Sequence, residues 1–199
     1  MISSKNLRLS MLLFTLWYIV SYVYYGLIYI LPTVYQKLAL TEKKSDKLDS
    51  KLYDQIVSDI IISCIFEFPS NILNGILPYF FEKRKIIIFA FLGSGIFSFL
   101  SCFMTYSIPL YSSINKAFIN TAFSVLYIYT SEVFPTYMRA TSLGTCNFFS
   151  RIGGFTTPFI CEFLVKISFV TPFLGFCMAS TAGLFLTMLL DDISGKCIF

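Results

Sequence analysis

Glu67, Lys116 and Arg151 are full charges set inside long apolar stretches of this 199-residue chain. A charge in hydrocarbon is costly unless it faces a bundle interior or a water-filled cavity. The chemistry open to these three groups is non-covalent: they can neutralise one another or orient an ionic solute. Glu67 lies about eleven residues into the second apolar segment and Arg151 about ten into the fifth. At 1.5 Å per residue both fall near the bilayer midplane, where they are expected to pair. Asp59, Lys116 and Glu162 lie near the outer ends of their segments and are expected to form an outer charge cluster. Glu132 and Arg139 flank Pro135 at the opposite end.

Covalent catalysis is not expected. The chain has no histidine, so Ser/His and Cys/His constellations are ruled out, and it carries no phosphate-binding loop. Its six cysteines are scattered singly, without a CxxC pair, and read as small helix-packing residues. No cofactor and no metal site follow from such a pattern. A net charge of +4 without a long basic block gives no reason to propose nucleic acid.

Helical periodicity groups the polar residues into stripes. The second segment carries Asp59, Ser63, Glu67, Asn71 and Asn74 at steps of four, four, four and three. The fourth carries Lys116, Asn120, Ser124, Tyr127 and Ser131, and the fifth Asn147, Arg151, Gly154, Pro158 and Glu162. The first carries Thr15, Tyr18, Tyr22, Tyr25 and Tyr29. The third and sixth hold small or hydroxyl residues such as Ser94, Ser98, Ser101 and Ser180, with no ionisable group, which suits close helix packing. Four helices are therefore expected to line something polar, with two buttressing them from the lipid side.

The elements that carry these stripes are apolar helices. No charge interrupts the chain between Arg8 and Lys37, between Lys85 and Lys116, or between Lys166 and Asp191. A bilayer core about 30 Å thick needs about 20 such residues. Hydrophobic residues make up 56% of the chain and charged residues 13%, against about 25% charged in soluble domains. The reading is a single all-α membrane domain over residues 1–199, with transmembrane helices at about 10–31, 56–80, 86–106, 109–131, 141–165 and 169–190. Pro32 and Pro78 are expected to end the first and second helices, and a polar, non-cytoplasmic loop is expected over about 32–55. The compact Lys83-Arg84-Lys85 turn puts the termini on the cytoplasmic side of a multi-pass protein.

YTSEVFPTYMRA (129–140) followed by SRIGGFTTPFI (150–160) resembles the C-terminal half of major facilitator superfamily transporters, most like the organic-ion and synaptic-vesicle-related groups. FSVLYIYTSEVFPT (123–136) resembles the family's tenth helix, YYG (24–26) its seventh and EFPSN (67–71) its eighth. KAFI (116–119) is similar to an Arg-x-Phe element, with Lys116 for arginine. The resemblance runs from about Leu7 to Lys196. It departs at YFFEKRK (79–85), where the family often has Asp-Arg-x-Gly-Arg-Arg.

The resemblance implies a six-helix half, itself a 3+3 inverted repeat, of a major facilitator fold. It also implies that the first, second, fourth and fifth helices surround the cavity, the partition that the stripes give. Such transporters rock two halves about a midplane site, so the partners implied are the bilayer, a small organic solute, and a second six-helix half or a second copy of the chain. The function read here is transport of an organic ion. An anion is favoured because arginine stands at the position of Arg151 in the family's anion carriers. Tyr22, Tyr25, Glu67, Asn71, Asn120, Tyr127, Asn147 and Arg151 are the expected binding residues, and Glu132 with Arg139 the cytoplasmic gate. A sugar- or phosphate-type porter of the same superfamily and a non-transporting assembly partner are the alternatives.

Overall fold

The computed structural model describes residues 4–43, 50–103, 108–168 and 170–190, which form six helices with no strand among them. They are α1 (Ser4–Lys43), α2 (Ser50–Phe80), α3 (Lys83–Phe103), α4 (Ile108–Val133), α5 (Thr136–Ile167) and α6 (Thr171–Met188). The expected loop over 32–55 is a correction. α1 continues through Pro32 to Lys43, α2 begins at Ser50, and only 44–49 fall outside the described residues. Pro78 likewise lies inside α2. Proline removes one backbone donor but does not always end a helix, because neighbouring groups can satisfy the freed carbonyl.

Proline does separate α4 from α5. The residue before a proline is disfavoured in the helical region, so α4 stops at Val133 and Phe134 leads into Pro135. Pro135 is extended, with φ −62° and ψ 155°, and α5 starts from it without a side-chain cap. Pro172 sits in the first turn of α6, where its missing N–H costs nothing.

α1, α3 and α6 are long and apolar enough to cross a membrane by length and composition. The core is built where α1 and α4 meet their neighbours: Leu16, Trp17, Val20, Val23, Ile119, Ala122 and Leu126 are fully buried. Small groups close the seams. Ser94 meets Ser180 at 2.9 Å between α3 and α6, and Ser21 meets Ser150 between α1 and α5. The Phe89, Ile96, Phe99 and Phe103 side chains of α3 and Met178 and Phe185 of α6 remain exposed, as suits a surface whose solvent is lipid.

Exchanging α1, α2 and α3 for α4, α5 and α6 carries each packed pair onto another packed pair. α1–α5 maps onto α4–α2, α3–α4 onto α6–α1, α1–α2 onto α4–α5, and α2–α3 onto α5–α6. The α1–α4 and α3–α6 pairs map onto themselves.

Candidate solute-binding face

The α2 and α4 stripes meet rung by rung. Lys116 Nζ lies 3.3 Å from Glu67 Oε1, Asn120 Nδ2 donates to Asn71 Oδ1 at 2.7 Å, and Asn74 Nδ2 donates to Ser124 at 3.3 Å. Steps of three and four on both helices keep the rungs in register. Between rungs, the Ser70 hydroxyl donates to the Ala117 carbonyl at 3.1 Å. The first rung is the most enclosed: the side chains of Lys116 and Glu67 are 7% and 18% exposed. Tyr24 faces the same carboxylate closely enough to interact with it electrostatically.

The first rung corrects two expectations. Glu67 is neutralised by Lys116 rather than by Arg151. Lys116 does not join an outer cluster: Glu162 pairs with Lys166 at 3.3 Å, one turn along its own helix, and the side chain of Asp59 lies outside the described residues. Stripe spacing gives the face of each helix but not the neighbour that the face meets, and here α2 packs on α4.

Arg151 stands apart from the ladder. It is exposed and lines a cleft of about 210 Å³ with Tyr25, Gly154 and Phe155. Tyr127 lies close enough to feel both Arg151 and Tyr25, and its hydroxyl approaches Asn147 Oδ1 at 3.5 Å. Among the described residues no carboxylate pairs with Arg151. Between this cleft and the ladder lies an aromatic wall from α1 and α4. Tyr24 stacks on Phe123 at 6.0 Å, and Tyr127 stands edge-on to Phe123 at 5.4 Å and to Trp17 at 4.3 Å. Trp17 is fully buried behind it and donates to Thr130 at 3.1 Å.

Of the eight residues expected to bind, Glu67, Asn71 and Asn120 lie on the ladder and Tyr25, Tyr127, Asn147 and Arg151 lie at or beside the cleft. Tyr22 lies at neither. It is 8% exposed, packs edge-on to Phe176 of α6, and its hydroxyl points at the Gly175 side of that helix. Three residues at about 100° each leave Tyr22 and Tyr25 about 60° apart around α1, so Tyr22 meets α6 while Tyr25 reaches the Arg151 cleft. Tyr24, Phe123 and Trp17 were missed. The signal available for Trp17 was its being the chain's one tryptophan.

At the opposite end from Lys116, Lys83 Nζ lies 2.9 Å from Glu132 Oε2, tying the start of α3 to the end of α4. Arg84 donates to the Met188 carbonyl at 2.6 Å, closing the C-terminal end of α6. Arg139 is exposed in the first turn of α5. The described cysteines are free thiols, Cys146 and Cys161 fully buried among helices, and Cys197 lies outside the described residues.

No family model matches the chain. Among curated proteins it is similar to svop-1, a candidate transporter of Caenorhabditis elegans, with 28% identity over 91% of this chain and 36% of that protein. It is 28% identical to a synaptic vesicle 2-related protein of Bos taurus over 80% of this chain and 31% of that protein. It is 29% identical to a solute carrier family 22 member 15-like protein of Xenopus tropicalis over 94% of this chain and 36% of that protein. The chain therefore spans about a third of the length of these relatives. With three helices able by length and composition to cross a bilayer, and with svop-1 among its relatives named as a transporter, this chain is a multi-pass membrane protein similar in sequence to synaptic-vesicle-2-related and solute-carrier-22-like proteins.

Proposed function

We propose that this chain is the C-terminal six-helix half of an alternating-access transporter and forms one wall of its central cavity. Two observations support that architecture. The helix pairing repeats when three helices are exchanged for three, as a 3+3 inverted repeat requires. The polar groups of α1, α2, α4 and α5 gather on shared seams, whereas α6 and the part of α3 from Ile86 to Phe103 carry no charged residue. All six helices cross the membrane, with the termini cytoplasmic and a second half, or a second copy, supplying the other wall. The Lys83–Glu132 pair belongs to the cytoplasmic gate, beside Arg139.

The solute is a small organic anion. The carrying observation is Arg151, a cation in a cleft with Tyr25, left without a carboxylate partner because Lys116 holds Glu67. A guanidinium at a low-dielectric surface favours a carboxylate through two parallel charge-assisted hydrogen bonds. Tyr25, Phe123 and Tyr127 supply the apolar contact that ligand pockets use. The test is uptake by cells expressing the protein, wild type beside Arg151→Asp. Organic-anion uptake falls and organic-cation uptake rises if the reading holds. Wild-type uptake of hexoses alone, with no response to Arg151→Asp, makes it a sugar-type porter instead.

A further inference from the structure

Arg151, Gly154 and Phe155 stand at steps of three and four, so they share one face of α5. Tyr25 of α1 lies against that face, and the four residues line the cleft of about 210 Å³. The tyrosine ring rests on the glycine. A methyl group added at Gly154 would meet Tyr25 Cδ2 at 2.9 Å and Cε2 at 3.2 Å. Non-bonded carbon atoms prefer about 3.5–4.0 Å, so a side chain at this position displaces the ring by about 0.6 Å.

The helices do not part to make room. The Tyr18 hydroxyl meets Thr156 at 3.0 Å and Thr157 donates to the Tyr22 carbonyl at 3.4 Å, pinning α1 to α5 beside the glycine. Nor does the ring retreat along α1. Tyr24 stands edge-on to it at 5.4 Å and is itself stacked on Phe123. The ring therefore yields toward the cleft and narrows it beside the guanidinium.

A cleft of about 210 Å³ falls below the usual ligand pocket of about 300–1,000 Å³. It holds only the charged end of a solute and the group attached next to it. With a carboxylate on Arg151, that group lies between the rings of Tyr25 and Phe155. We infer that Gly154 is the specificity-determining residue of this cleft: its bare backbone seats the Tyr25 ring and leaves width for a bulky apolar group on the carbon that bears the carboxylate. The inference rests on the organic-anion reading and names the class of anion, a carboxylate branched or ring-substituted at its second carbon.

The test is uptake by proteoliposomes of the purified protein. The solutes are radiolabelled glycolate, lactate and mandelate, 2-hydroxy acids that carry hydrogen, methyl and phenyl on that carbon. Wild type takes up all three. Gly154→Ala raises the half-saturating concentration of mandelate about tenfold, the low end of what one methylene is worth in a packed pocket. It leaves that of glycolate and the maximal rates unchanged. The variant folds, because its methyl meets a side-chain ring and not backbone, as it does at Gly153. If its melting temperature nevertheless falls, Tyr25→Leu with the glycine kept widens the same cleft and favours mandelate over glycolate more than wild type does. Tyr25→Leu added to Gly154→Ala restores the wild-type ratio of the two acids. The inference is overturned if Gly154→Ala weakens all three acids equally, as a merely structural glycine would, if Tyr25→Leu leaves the ratio unmoved, or if wild type rejects mandelate. Absence of any uptake that Arg151→Asp abolishes overturns the organic-anion reading as well. Uptake that depends on Arg151, with an unchanged ratio in Gly154→Ala, overturns this inference alone.

Discussion

Glu67 of α2 and Lys116 of α4 form an ion pair at 3.3 Å, with both side chains largely withdrawn from solvent and Tyr24 of α1 facing the carboxylate. Removing one partner of a buried pair strands the other charge, typically at about 3–5 kcal/mol, whereas replacing both is often close to neutral. Glu67→Gln and Lys116→Gln should each lower thermal stability in detergent, and the double variant should recover much of the loss. Strictly additive losses would show that the two groups do not meet in the folded protein.

Trp17 reports on the α1–α4 seam without labelling, because it is the chain's one tryptophan and is fully buried. Its fluorescence should resist quenching by aqueous iodide. Thr130→Val removes the acceptor of its indole N–H and leaves a buried donor unpaired, at about 1–3 kcal/mol. Free quenching of the wild-type emission would contradict the packing of this wall.

The α1–α5 seam depends on a close approach at Gly153. A methyl group there would sit 2.7 Å from the Tyr18 backbone carbonyl, and backbone cannot move aside as a side-chain tip can. Gly153→Ala should destabilise by about 1–3 kcal/mol, the usual range for overpacking. Gly144, on the same helix, has nothing within 4 Å of its added methyl. Gly144→Ala should be neutral or stabilising by up to about 1 kcal/mol. Equal melting temperatures for the two variants would refute the seam.

Lys83 and Glu132 are 30% and 41% exposed, so their pair adds little to stability. Its expected effect is kinetic. Glu132→Gln should lower the maximal rate of uptake while leaving the half-saturating solute concentration nearly unchanged. A large loss of apparent affinity at an unaltered maximal rate would place Glu132 in the binding site.

The division of the helices into polar and apolar faces was legible because it follows from residue type and a period of 3.6 alone. Asn71, Asn120 and Asn147 fall on the seams as that arithmetic requires. The pairings were not legible. Depth along a helix put Glu67 level with Arg151, but which helices are neighbours is a tertiary fact, and α2 lies against α4. That Tyr22 turns to α6 and Tyr24 to Glu67 was not legible for a related reason: in a tyrosine-rich run only the packing of α6 against α1 tells which rings are buried. Pro32 misled because a proline marks a helix end by tendency, not by necessity.

The central claim is that the polar face of α1, α2, α4 and α5 lines a water-filled cavity, while α3 and α6 face lipid. It is tested most directly by single cysteines in a cysteine-free background, treated in sealed vesicles with a membrane-impermeant thiol reagent. Cysteines at Asn71, Asn120, Tyr127, Asn147 and Arg151 should react, and those at Phe99, Met178 and Phe185 should not. Equal reactivity at the two sets, or reaction confined to the α3 and α6 positions, would contradict the account.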